Sequence, residues 1–169
     1  MSRWTAILAL VVCSAAASAP RAAAQTQKDD LASLRGLPGV GVQVLGLPGR
    51  STDPAVMTTG EVQADVEAQL RQAGIRLLSP AELATTPSRP YIEINFGFVR
   101  TPGDIHFYIV QVTMRQSAVL TSGQVMSVGT FEDATAEWTS AADRPARLRA
   151  AVKEEVSRFV NAWGIANRK

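Results

Sequence analysis

Tyr91-Ile92-Glu93-Ile94-Asn95-Phe96-Gly97-Phe98-Val99 decides the fold. Ile92, Ile94, Phe96 and Phe98 take every second position, and Glu93, Asn95 and Gly97 fill the gaps. A period of two puts the apolar side chains on one face of a strand and the polar ones on the other. Thr101-Pro102-Gly103-Asp104 has turn chemistry. Ile105 to Leu120 then resumes the alternation, with Tyr108, Val110, Val112 and Met114 opposite Gln111, Thr113 and Arg115. Two such runs about a short Pro-Gly turn predict an antiparallel hairpin with one buried face and one open face.

Working outward, Ser122-Gly123 marks a break, and a third strand is expected within Gln124 to Ser140, interrupted near Glu132-Asp133. Upstream, Val40, Val42 and Val44 alternate with Gly41 and Gln43 in a strand over Val40 to Leu47. Gly36-Leu37-Pro38-Gly39 and Gly46-Leu47-Pro48-Gly49 bracket it. Their spacing matches neither phosphate-binding pattern, and no Gly-Lys-Ser/Thr follows, so both are turns. A short strand over Arg76 to Leu78 is expected next, and then loops from Ser79 to Glu82 and from Pro87 to Pro90.

Two helices complete the set. Thr58-Thr59-Gly60-Glu61 has capping-box spacing, and Met57 with Val62 forms a hydrophobic staple. Val62, Val66, Leu70 and Ala73 make an apolar stripe that ends at Gly74-Ile75, where Ile75 folds back on Leu70. Near the C-terminus, Asp143 is the expected N-cap with Pro145 in the first turn. Leu148, Val152, Val156, Phe159, Val160 and Trp163 line its buried side, and Gly164-Ile165 is expected to end it as Gly74-Ile75 ends the first. The order β-α-β-β-β-β-α predicts an α+β two-layer sandwich: a mostly antiparallel sheet with two amphipathic helices on one face.

The first residues read as an address. Arg3 precedes a mostly apolar run from Trp4 to Val12, and Ala22-Ala23-Ala24 precedes Gln25. This is the pattern of a signal peptide over residues 1–24, cleaved near Ala24, and the run is too short to span a bilayer. The bulky Val12 before Cys13 argues against lipidation of that cysteine. The expected product, residues 25–169, is periplasmic or secreted, has no transmembrane segment, and forms a single α+β domain behind a flexible leader at 25–36. It contains no cysteine, so its stability rests on an apolar core. Arg3 and Arg21 leave with the signal, which brings 17 basic side chains down to 15, against 15 acids. A neutral chain lacks the electrostatic drive for nucleic-acid binding.

The chemical inventory is sparse. His106 is the single histidine, so any triad would have to use it and no histidine pair is present for a metal; just after a turn, on the strand face of Tyr108 and Val110, it reads as structural. Glu132, Asp133 and Glu137 are acidic but lack the alternation and central glycine of a calcium loop, and they read as a solvated turn. No catalytic residue, cofactor or metal is expected. Trp163 and Trp138 are both expected in the core. The open face of the hairpin is expected to carry Glu93, Asn95, Gln111, Thr113 and Arg115, a polar surface suited to a partner or to plain solvation.

The segment from Leu70-Arg71-Gln72-Ala73-Gly74-Ile75 to Ser79-Pro80-Ala81-Glu82-Leu83 resembles a family of small exported bacterial proteins of unknown function. Met114-Arg115-Gln116, Thr135-Ala136-Glu137-Trp138-Thr139 and Phe159-Val160-Asn161-Ala162-Trp163 carry the likeness on. The architecture is also similar to the N-terminal domain of TolB and to envelope lipoproteins of the curli-secretion and penicillin-binding-protein-activator type. The resemblance implies an envelope setting and names no activity. The sequence therefore leads to a non-enzymatic binding or adaptor module with an envelope protein as partner. The alternatives are a small hydrolase using carboxylates, Glu93 among them, and a small-ligand-binding domain.

Overall fold

The structure, a computed structural model, describes residues 30–46, 57–100, 105–140 and 142–168. The leader with Cys13, the Thr101–Asp104 turn and most of the second Gly-Leu-Pro-Gly lie outside the described residues. The chain forms β1 (Gly41–Leu45), α1 (Thr59–Gln72), α2 (Pro80–Thr85), β2 (Tyr91–Arg100), β3 (Ile105–Val119), β4 (Val125–Ser140) and α3 (Arg144–Ala166). The sheet has the order β1-β2-β3-β4. β1 runs parallel to β2, and the other two pairings are antiparallel.

The α+β sandwich is as the alternation predicts. Ile92 sits opposite Met114, Ile94 opposite Val112 and Phe96 opposite Val110. All six are buried, together with Val62, Val66 and Leu70 of α1 and Leu148, Val152, Val156 and Phe159 of α3. These residues form one core between the sheet and the two long helices. A one-residue slip between β2 and β3 would turn the whole set outward, so this burial fixes the register.

The ends of α1 follow from its sequence. The Thr58 hydroxyl accepts from the Glu61 backbone N–H at 3.2 Å, and Glu61 Oε2 accepts from the Thr58 N–H at 2.8 Å. Those capping bonds hold the Glu61 carboxyl below its ordinary range. At the far end Gly74 takes φ +76°, Ile75 N–H donates to the Leu70 carbonyl, and Gly74 N–H donates to that of Arg71. This is a Schellman ending, with Ile75 buried behind it.

Several expectations need correction. The segment at 76–78 contributes a single bridge, Leu77 to Val40, on the side of β1 away from β2. Ser79 to Glu82, read as a loop, opens the helix α2 with a second full capping box. β4 runs unbroken past Glu132-Asp133, and its irregularity is a bulge at Thr130, between the Met114–Phe131 and Arg115–Gly129 pairs. α3 passes through Gly164 to Ala166. Its end is tied instead by Asn167, whose amide donates to the carbonyls of Leu34 and Trp163 and accepts from the Gly36 N–H. Asp143 occupies the N-cap of α3 without a side-chain capping bond, and its backbone N–H donates to the Ser140 hydroxyl. Residues 30–34, assigned to the flexible leader, are helical and bury Leu34 completely in the core.

Two substitutions separate burial from capping. Leu70→Ala is expected to lower the unfolding free energy by about 2–5 kcal/mol, and Thr58→Ala by about 1 kcal/mol. Chemical denaturation of both variants checks this, and equal losses would contradict the assignment of Leu70 to the core.

Candidate functional site

Alternation on β2, β3 and β4 leaves one sheet face without a long helix. The register brings Glu93, Thr113 and Glu132 into one row, Asn95, Gln111 and Ala134 into the next, then Gly97, Ile109 and Ala136, and finally Val99, Phe107 and Trp138. The five residues expected on this face do share it. What they present differs from the expectation: Glu93 is 7% exposed and Thr113 only 3%.

The polar half of the face is bonded to itself. Glu93 Oε1 accepts from the Asn95 amide and from Arg115 Nη2, each at 3.0 Å. The Gln111 amide donates to Glu132. Glu132 is thus a second acid on the face of Glu93, on a strand two spacings away, roughly 9–10 Å by backbone geometry. Both carboxylates already accept side-chain hydrogen bonds, and the buried Thr113 lies between them in the row. Removing Arg115 would leave Glu93 buried beside a neutral amide.

The other half is apolar and open. Val99 is 56% exposed, Ile105 55% and Trp138 62%. Ile109 and Leu45 are also exposed, and Phe107 packs on Trp138 with ring centroids 4.9 Å apart. The placement of Trp138 in the core is therefore corrected: its position in the alternation of β4 puts it beside Phe107, on the face away from the helices. Phe131, seven positions back on the regular side of the bulge, is the aromatic of β4 that enters the core, where it meets Phe159 edge-on at 5.5 Å. Trp163 is partly buried against the core beside Phe159.

On the helix-covered face, the β4 positions after Phe131 are polar. Tyr108 donates to Glu137 Oε2 at 2.8 Å; burial, followed by that bond, pushes its phenol up to about 12. His106 is buried at the end of the same row, opposite Thr139. Glu155 of α3 is fully buried and neither carboxylate oxygen has a hydrogen bond. Arg158 Nη1 lies 3.4 Å from it and 3.3 Å from Asp133. Burial first, and then the Asp133 charge, raise the Glu155 pKa against the pull of Arg158. Spacing carried a signal for this residue, since Glu155 lies three after Val152 and four before Phe159 on the buried stripe.

Elsewhere, a groove of about 460 Å³ runs between α1 and α3, floored by Met57, Val62, Val66 and Val152. An ion pair between Asp65 and Arg149 at 3.0 Å bridges it. Among the described residues no group of three or more His, Cys, Asp or Glu is placed to hold a metal ion. No described helix is long and apolar enough to cross a membrane.

No family model and no curated protein matches this chain. Among solved structures, it is similar to a minor lipoprotein from Acinetobacter baumannii over 78% of this chain and 92% of that one, at 6% identity and a TM-score of 0.41.

Two predictions follow from the buried acids. Arg115→Ala is expected to cost about 1–3 kcal/mol of stability, because it strips a buried carboxylate of its charged partner. In the background of Glu93→Gln the same change should cost less, and an unchanged cost in that double-mutant cycle would contradict the pairing. For Glu155 the raised pKa means that its contribution is full below the ordinary value of 4.5 and is lost as the pH climbs above it. Glu155→Gln should therefore gain stability relative to the parent as the pH rises to neutrality. Denaturation at several pH values checks this, and a variant whose stability falls relative to the parent, or stays level with it, towards neutral pH would contradict it.

Proposed function

We propose that this chain is an exported, non-catalytic binding module of the cell envelope, and that it engages its partner with the sheet face that neither long helix covers. The observation that carries this reading is Trp138, a large aromatic 62% exposed amid Val99, Ile105, Phe107 and Ile109. Apolar side chains gathered into one exposed patch, rather than scattered singly, are a mark of an interaction surface, and exposed tryptophan is a frequent anchor of binding energy.

The polar half of the face supports the same reading. Its acids are held by Arg115, Asn95 and Gln111, which suits a rigid platform beside the apolar contact. A carboxylate hydrolase would need Glu93 free to exchange a proton with substrate, and here it is buried and bonded twice. The export half of the proposal rests on Arg3, the Trp4–Val12 run and Ala22-Ala23-Ala24.

Affinity capture of the tagged protein from its native envelope, after mild crosslinking, tests this. One specific envelope component should be recovered with the parent and lost with Trp138→Ala. The variant should keep its folding stability to within about 0.5 kcal/mol, as an exposed substitution does. Recovery unaffected by Trp138→Ala, or turnover of an envelope substrate by the purified protein, would overturn the reading.

A further inference from the structure

β4 is the outer strand of the sheet, and among the described residues its one strand neighbour is β3. A long outer strand presents unpaired backbone groups and is a template for another strand unless something blocks it. At Thr130 something does: the bulge interrupts the ladder, and the Ser33 hydroxyl donates to the Thr130 carbonyl at 2.9 Å. From Phe131 to Ser140 the strand is regular and ends beside the exposed Trp138.

The charge on this stretch is one-sided. No Lys, Arg or His lies between Arg115 and Arg144, whereas Glu132, Asp133 and Glu137 all fall within the regular part of β4. Asp133 is paired with Arg158. Glu132 and Glu137 are held by neutral donors, the Gln111 amide and the Tyr108 hydroxyl, and both are exposed. Arg147 faces the Tyr108–Glu137 pair from α3 and offsets part of that charge.

A second copy of the chain fits this edge poorly. Antiparallel self-pairing centred on Thr135 would set Asp133 opposite Glu137, both on the helix-covered face, and like charges directly opposite weaken a strand pair. We infer that the Phe131–Ser140 edge accepts an extended segment of a partner protein that carries basic side chains beside Glu132 and Glu137 and an apolar one beside Ala136 and Trp138. Main-chain hydrogen bonds supply affinity in such strand addition, and alternate side chains supply selectivity. The inference rests on the binding-module reading and gives it a partner chemistry.

The probe is a capped peptide of about ten residues that sets Lys opposite Glu132 and Glu137, on the two faces of the strand, and Val opposite Ala136 and Trp138, with Thr elsewhere. Its controls are the same peptide with Glu for Lys, and one with proline at every second position. Binding to the full chain is followed by tryptophan fluorescence and by backbone amide shifts. The Lys peptide should bind at least ten-fold tighter than either control, shift amides of 131–140, and weaken several-fold against the Glu132→Gln/Glu137→Gln variant. Equal binding of the Lys and Glu peptides, or shifts centred elsewhere, would overturn the inference. So would sedimentation showing a dimer whose interface is β4, which would make a second copy the occupant. Envelope capture that depends on Trp138, with no response to any peptide, would leave the binding module standing and remove the strand partner. Loss of that dependence would remove the module reading itself.

Discussion

Pairing of Ile92, Ile94 and Phe96 with Met114, Val112 and Val110 is the contact on which the rest of the molecule depends. It fixes which face of the sheet is apolar at its centre, and so where α1 and α3 must lie. Once those helices cover one face, the other receives every residue out of phase: Glu93, Asn95, Gln111, Thr113 and Arg115 at one end, Val99, Phe107 and Trp138 at the other. The candidate site is thus a by-product of the core. No loop has to be positioned to make it.

The two halves of that face meet water on different terms. The polar half bonds Glu93 and Glu132 to its own amides and to Arg115, with Arg115 Nε buried and unbonded, and Glu93 and Thr113 lie out of solvent. The apolar half has no such cover among the described residues. Trp138 and Phe107 shield one another, yet Val99 and Ile105 remain more than half exposed. At β4 the helix-covered side is also unusual, because it is lined by Asp133, Thr135, Glu137 and Thr139 rather than by aliphatics. Tyr108 answers Glu137 and Arg158 answers Asp133, while Glu155 is buried beside Arg158 with neither carboxylate oxygen hydrogen-bonded. These polar pairings stand at β4 where apolar packing secures the other strands.

Much of the fold was legible in the sequence because it is encoded locally. Period-two alternation gave the hairpin, and Thr58 with Glu61 and Gly74 with Ile75 gave both ends of α1. Ser79 and Glu82 carry the same capping signal at the same spacing, and α2 could have been read from it. Non-local determinants escaped. Gly164 resembles Gly74 in sequence, but Asn167 reaches across to Leu34 and Gly36 and holds the helix past it. Trp138 could be assigned to a face only through the bulge at Thr130, since one extra residue reverses the alternation counted from the hairpin end. Burial of Glu93 depends on Arg115 from the next strand, which composition does not disclose.

The central claim is that the face bearing Trp138, and not the helix layer, meets the partner. Site-specific photo-crosslinking in the native envelope tests it most directly, with the reactive group placed at Ala136 on β4 or at Ala150 on the exposed side of α3. The account predicts one discrete adduct from Ala136 and none from Ala150. An adduct from Ala150 alone would contradict it, and so would equal adducts from both positions.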